Sequence, residues 1–436
     1  MFVNYEKLAS EQLLEIKRKN LFREYPIVNL LPNNPPLAEV LSGDEKKIVT
    51  IWGNNNYLGL AGNSEIINAK ISAIKEFGVG AGGTRNILGT SESLENLENK
   101  IANWFRKEKA LIHNSALDAN LGVISALLKN FNAIAISDEK NHASIIDGIK
   151  ISGADKQIFK HNDLSDLENK LANIRRISDS RPIVILAESI YSMEGDFAPL
   201  KEIISLKKKY NAMLYLDEVH AIGVYGENGC GIAESQNLLN EIDIICGTFA
   251  KALGLIGGFV VGSKNMMEFI RHHSRNFIFS TAMQSDNAVA CHKAIEIISS
   301  IQGRFLRKKH QEIIKETRLT LKSYGLSQNS EILSPDNSNI IPILIGSEAK
   351  TIAISKALLE EYNIAVTPIF APTVPVQQAR IRINPTPFHT RKMITDLAEA
   401  LSNLLIRFSD FENYKFNDNQ KPKDKNYAQH LISIDF

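Results

Sequence analysis

Five short runs decide what this chain can fold into. Ala133-Ile-Ala-Ile-Ser137, Ile183-Val-Ile-Leu-Ala187, Met213-Leu-Tyr-Leu216, Ile242-Asp-Ile-Ile245 and Phe259-Val-Val261 are apolar, and stretches with helical periodicity separate them. Strands apolar on consecutive residues cannot keep one face in water. They predict an α/β fold with a mostly parallel sheet covered by helices on both sides. The large unit is expected over 47–298, after a polar, mostly helical arm over 1–46. A smaller α+β unit over 299–411 carries the strand-like Ile340-Ile-Pro-Ile-Leu344 and Arg380-Ile-Arg-Ile-Asn384, and the tail over 412–436 is polar and rich in Lys, Asn and Asp.

Four of the five runs end in polar residues: Ser137-Asp138, Glu188-Ser189, Asp217-Glu218 and Thr248. Ligands of open α/β sheets sit beyond the carboxyl ends of the strands, so these side chains should share one crevice. Two of the segments read Leu214-Tyr-Leu-Asp217-Glu-Val-His220 and Gly247-Thr-Phe-Ala-Lys251-Ala-Leu-Gly254. A carboxylate for a pyridinium nitrogen and an amine able to form a Schiff base are what pyridoxal phosphate requires of its protein. Asp217 and Lys251 therefore point to that cofactor.

Further motifs follow in order: Gly82-Gly-Thr-Arg-Asn-Ile87, Asn141-His-Ala-Ser144, Ile158-Phe-Lys-His-Asn-Asp163, Glu188-Ser-Ile-Tyr-Ser-Met-Glu-Gly-Asp196, Phe277-Ile-Phe-Ser-Thr281 and Pro385-Thr-Pro-Phe-His389. From about Tyr5 to about Ile406 the chain resembles the α-oxoamine synthases, which condense an amino acid with an acyl-CoA. The resemblance implies a fold-type-I transferase with a seven-stranded sheet and a homodimer with shared active sites. The wording of these motifs is most similar to that of the members using glycine and succinyl-CoA.

The resemblance also implies roles. Lys251 would carry the cofactor and move the α-proton; Asp217 would keep the pyridine nitrogen protonated. His142 would stack on the ring, and His220, helped by Ser189, would bond the phenolic oxygen. Ser115, Ala116 and Leu117 at a helix start, with Thr248, would receive the phosphate, as aligned amides favour an anion. Ser280 and Thr281 would reach it from the opposite subunit. Arg382 with Asn55 would hold the amino acid's carboxylate, a bidentate task suited to a guanidinium. Arg23, Thr84, Asn86 and Thr373 would surround the acyl group, with Thr84 also crowding the α-carbon.

Leu117, Asn55-Asn-Tyr57, Ser91-Glu-Ser-Leu94 and Ala282-Met-Gln-Ser285 depart from the family's wording and permit an altered acyl pocket. Another α-oxoamine synthase, a non-catalytic partner subunit and an aminotransferase stay open as alternatives, although the partner subunits lack the lysine that is present here. Gly78-Val-Gly-Ala-Gly-Gly83 has the spacing of a dinucleotide-binding loop, but the helix-like segment before it is the wrong context.

With a net charge of +1, no bulk attraction to nucleic acid or anionic membrane is expected. No apolar run approaches the ~20 residues of a membrane span, and the N-terminal sequence has no targeting pattern, so a cytoplasmic protein is expected. Cys230, Cys246 and Cys291 are odd in number and widely spaced, fitting reduced thiols better than disulfides or a metal site.

Overall fold

The computed structural model describes residues 3–19, 21–23, 25–42, 45–178, 180–326 and 331–409; the predicted tail over 412–436 lies outside them. In chain order the strands are β1 (Ile27–Leu30), β2 (Leu37–Ser42), β3 (Glu45–Ile51), β4 (Lys109–His113), β5 (Ile134–Asp138), β6 (Lys156–Phe159), β7 (Ile183–Glu188), β8 (Met213–Asp217), β9 (Ile244–Thr248), β10 (Gly258–Gly262), β11 (Glu331–Ile332), β12 (Ile341–Gly346), β13 (Ile364–Ala365), β14 (Thr367–Ile369) and β15 (Ala379–Ile383).

The central sheet has seven strands in the order β4-β10-β9-β8-β7-β5-β6. β10 runs antiparallel to both its neighbours, and the remaining pairings are parallel. Alternate residues of β5, β7 and β8 feed two cores. Ile136, Ile185 and Leu216 pack with helices 92–105, 164–177 and 200–209 on one face, while Ala135, Val184 and Tyr215 pack with helices 116–130 and 143–152 on the other. Both faces are dry, which explains the unbroken apolar runs in the sequence. Truncating one such residue, Ile185→Ala for example, would cost about 2–5 kcal/mol.

The run at 242–245 starts two residues later than expected. A 3-10 turn occupies Leu239–Glu241, and the Asp243 carboxylate accepts from Leu214 N at 2.7 Å, so ladder pairing opens at Ile244.

The smaller unit is a sheet in the order β11-β12-β15-β14, packed with helices 301–323, 348–362 and 391–407. Of residues 47–51, expected to begin the large unit, Thr50 and Ile51 pair here with the C-terminal part of the chain. β3 lies parallel to β13, completing a second four-stranded sheet β1-β2-β3-β13. Trp52 is fully buried in the core of the smaller unit and stacks on His389 with ring centroids 3.6 Å apart. Helix 5–18 buries none of its side chains, and the glycine-rich segment 78–83 follows helix 64–77 rather than a strand. All three cysteines are buried and free. Among the described residues no helix is long and apolar enough to cross a membrane.

Candidate active site

Asp217 is the last residue of β8, and Lys251 lies three residues beyond the end of β9, the strand beside it. The Lys251 amine lies 2.6 Å from His220 Nε2, and Nδ1 of the same ring lies 2.7 Å from the Tyr57 hydroxyl. Tyr57 reaches Asn55 Oδ1 at 3.4 Å, and Arg382 Nη2 donates to that oxygen at 2.8 Å. Five side chains thus form one contact series from the lysine to the arginine. Burial lowers the Lys251 pKa to about 7, against the pull of Asp217, so the amine exchanges protons near neutrality. Burial, reinforced by Lys251, holds His220 well below the usual histidine range, and the ring is neutral. Its Nε2 then accepts from the amine while Nδ1–H donates to Tyr57, whose own pKa burial raises to about 12.

Asp217 is oriented from its own backbone and from a helix. Oδ1 accepts from Val219 N at 2.9 Å, and Oδ2 accepts from Asn120 Nδ2 at 2.9 Å. Asn120 in turn accepts the Tyr215 hydroxyl proton at 2.6 Å and donates to Ser144 Oγ at 2.9 Å, which lies 2.7 Å from His142 Nδ1. His142 also caps helix 143–152, accepting from Ser144 N at 3.2 Å; burial lowers its pKa although Asp217 opposes the shift. Asp217 and His142 are legible in the sequence as site residues, whereas Asn120 and Tyr57 join them only in the fold. Tyr57 lay inside the Asn55-Asn-Tyr57 motif, and Asn120 is a polar residue on a helix that is otherwise apolar toward the sheet.

Ser189 directly follows β7, and its amide donates to Asp217 O at 2.9 Å. It is fully buried, and its single hydroxyl proton goes to Glu218 Oε2 at 2.6 Å. That carboxyl also accepts from Ile232 N and Ala233 N at 3.0 and 2.7 Å, and burial raises its pKa to about 7. A buried carboxyl near its titration point requires these donors, which explains the direction of the serine hydroxyl.

Ser115 caps helix 116–130, accepting from Asp118 N at 3.0 Å, and leaves the amides of Ala116 and Leu117 at the helix start. Thr248 is buried and donates to Gly257 O at 3.0 Å. Gly258 is tight against this helix start: a Cβ there would stand 2.3 Å from Ala116 N. A glycine-cradled helix N-terminus, a buried carboxylate and a near-neutral lysine suit the phosphate, ring nitrogen and aldehyde carbon of pyridoxal phosphate respectively, so the residues present fit the cofactor. Ser280 Oγ accepts from Asn114 Nδ2 at 2.8 Å, and so does Thr281 O at 2.6 Å. Within one chain, then, both residues lie beside the residue preceding Ser115.

The expected acyl-group residues fall into two sets. Arg23 donates to Thr373 Oγ1 at 2.9 Å and lies over the Phe370 ring at 4.9 Å, on the loop joining β14 to β15. Asn86 donates to Ile278 O at 3.4 Å, two residues after Thr84, the residue that opens helix 85–88. Among the described residues, no hydrogen bond or ion pair joins the two sets.

The family model for aminotransferase class I and II matches residues 47–401. The 5-aminolevulinate synthase of Rickettsia conorii is 39% identical over 398 residues, 91% of this chain and 93% of that protein. The chain belongs to the class I and II aminotransferases, and within them to the α-oxoamine synthases. The 5-aminolevulinate synthase of Bradyrhizobium diazoefficiens is 38% identical over 400 residues, 92% of this chain and 95% of that protein. A solved serine palmitoyltransferase of Sphingomonas wittichii superposes with a TM-score of 0.83 at 25% identity, covering 93% of this chain and 98% of that one. As an α-oxoamine synthase the protein is a pyridoxal phosphate enzyme of the acyltransferase type, with the fold-type-I architecture expected from its sequence.

Proposed function

We propose that the chain catalyses the reaction of the 5-aminolevulinate synthases it resembles, at the entry to tetrapyrrole and heme synthesis. The α-carbon of glycine forms a bond to the acyl carbon of succinyl-CoA, the thioester C–S bond breaks to release CoA, and the glycine carboxylate leaves as carbon dioxide. The main support is the contact series from Lys251 to Arg382, with an amine base at one end and a carboxylate-sized fork at the other.

When bound, pyridoxal phosphate supplies a ring that withdraws negative charge from the amino acid's α-carbon. The chain's own residues bind and orient. Arg382 and Asn55 take the glycine carboxylate; a charge-assisted pair of this kind is worth about 1.5–3 kcal/mol. Lys251 Nζ takes the α-proton, and a pKa of about 7 lets it both accept and return a proton at neutral pH. Asp217 holds a proton on the ring nitrogen, kept in line by Asn120. His220 and Tyr57 give Lys251 a fixed partner instead of water. His142 covers the ring. Arg23 and Thr373 receive the terminal carboxylate of the succinyl group, with Thr84 and Asn86 completing that pocket from the other set.

The working unit is a homodimer in the cytoplasm. Val79, Ile87 and Phe279 are 73%, 83% and 66% exposed, and their loops meet where Ala282 N donates to Gly83 O. Exposed apolar residues gathered in one region mark a protein contact, and a partner seated there would bring Ser280 and Thr281 of one chain to the phosphate end of the other.

Glycine, alanine and serine tested with a panel of acyl-CoAs, read by CoA release and product mass, distinguish this reading from other α-oxoamine synthases. Glycine with succinyl-CoA should give 5-aminolevulinate at the highest kcat/KM, and Lys251→Ala should remove turnover and the yellow colour of the loaded protein. Preference for a long-chain or acetyl donor, or turnover without Lys251, overturns it.

A further inference from the structure

The motif Ile158-Phe-Lys-His-Asn-Asp163 has no part in the site described above, yet its histidine is held between two acids. His161 Nδ1 lies 2.9 Å from Asp138 Oδ1 and Nε2 lies 2.8 Å from Asp196 Oδ2, while the ring meets Tyr191 edge-on with centroids 4.5 Å apart. Facing a carboxylate on each side, both nitrogens donate. Burial works against the charged ring, but the bonds to Asp138 and Asp196 outweigh it and raise its pKa to about 9. Asn162 repeats the pattern: its N–H donates to Asp138 Oδ2 at 3.0 Å, and its amide donates to Asp196 Oδ2 and to Phe197 O at 3.2 Å each.

Asp138 ends β5, a strand fixed in the sheet; Asp196 closes the turn that follows β7. That turn also holds the arginines of β15. Arg382 Nη1 donates to Ser192 O at 3.3 Å, and Arg380 Nη1 donates to Met193 O at 3.1 Å. Glu194 faces Arg380 at 3.4 Å and Lys140 at 3.0 Å. Among the described residues, Arg382 donates only to Ser192 O and Asn55 Oδ1, and its Nε has no partner. One of the two tethers that aim Arg382 therefore belongs to a turn whose own position is set by His161.

We propose that His161 is a positioning residue: by bridging Asp138 and Asp196 it fixes the 191–196 turn, whose Ser192 carbonyl aims Arg382 at the carboxylate of the amino acid substrate. It touches neither substrate nor cofactor. This rests on the reading of Arg382 as the carboxylate-binding residue given above, and it adds what sets that residue's direction.

The test uses the loaded full-length enzyme carrying His161→Gln or, separately, Asp196→Asn, with near-ultraviolet circular dichroism to confirm the fold. KM for glycine should rise about tenfold while kcat and KM for the acyl-CoA stay within twofold, and the equilibrium Kd for glycine, read from the visible absorbance, should rise in parallel. A purely structural role would move all these quantities together or none of them. If either folded variant keeps the wild-type glycine KM, or loses affinity for both substrates equally, the positioning role is wrong. Alanine and serine carry the same carboxylate, so a wild type that ignores glycine but binds one of them fails only the substrate assignment, and the comparison is then made with that amino acid. A wild type that binds none of the three overturns both.

Discussion

Asn120 reaches from a helix to the end of a strand to donate a hydrogen bond to Asp217 across 2.9 Å. The carboxylate that must face a ring nitrogen is thereby held by a residue carrying no charge. Asp217→Asn should retain cofactor binding through the phosphate but slow exchange of the glycine α-proton by at least about a hundredfold, as loss of roughly 3 kcal/mol of charge stabilisation implies. Asn120→Leu keeps the charge and loosens its aim, so its effect should be smaller, about tenfold. Deuterium exchange followed by proton NMR measures both, and an exchange rate unchanged in Asp217→Asn would remove the aspartate from the mechanism.

Gly258→Ala tests the phosphate end. Its methyl group would meet Ala116 N at 2.3 Å and the Ser115 carbonyl carbon at 2.4 Å, and backbone cannot yield as a flexible side chain can. The helix start must shift, so pyridoxal phosphate Kd should rise by tenfold or more while the fold persists. Titration of cofactor into the stripped protein, read by fluorescence quenching, gives the value.

Arg23→Leu should reduce succinyl-CoA use by about tenfold to a hundredfold relative to butyryl-CoA, since a charge-assisted contact is worth about 1.5–3 kcal/mol. The Thr373 hydroxyl and Phe370 ring hold the guanidinium in the protein, and only the carboxylated donor loses a partner. Equal losses with both donors would assign Arg23 to loop packing alone.

His161 also makes stability depend on pH. Its folded pKa of about 9 exceeds the ordinary value near 6.5, so its contribution is complete below about pH 6.5 and disappears as pH rises through 9. The groups facing the ring are Asp138, Asp196 and Tyr191, and its own N–H bonds Glu139. Lys251 and Glu218 titrate in the same range, so the quantity to follow is the difference between wild type and His161→Gln. Thermal melts at pH 6.5 and pH 9.5 should show that gap narrowing; a constant gap would mean the ring is not charged in the fold.

The parts legible in the sequence share a physical cause. β5, β7 and β8 are buried on both faces, so their residues had to be apolar, and the chemistry of Lys251, Asp217, His142 and His220 required particular residue types within short motifs. β6 lies at the sheet edge with alternate residues in water, and β4 begins with a lysine and ends with a histidine; neither forms a fully apolar run. Asn120 carries no motif, because any helix position that faces a strand end can donate one amide. The proton of Ser189 could not be traced either, since its acceptor Glu218 acquires its need for donors only once buried.

The pairing of β3 with β13 sets a timetable for synthesis. Thr50 meets Ile364, and Asn55 meets Arg382 across 327 positions of chain, so β3, paired early with β2 on one side, has its other edge open until translation is almost complete. The seven-stranded sheet can close earlier, because its strands all fall between Lys109 and Gly262. Contacts this distant are slow to form and leave apolar strands uncovered meanwhile. The carboxylate fork, built from both ends of the chain, is thus the last part of the catalytic pocket to be assembled, and a nascent chain stalled before residue 364 would already have Lys251 and Asp217 in place with no means of holding an amino acid.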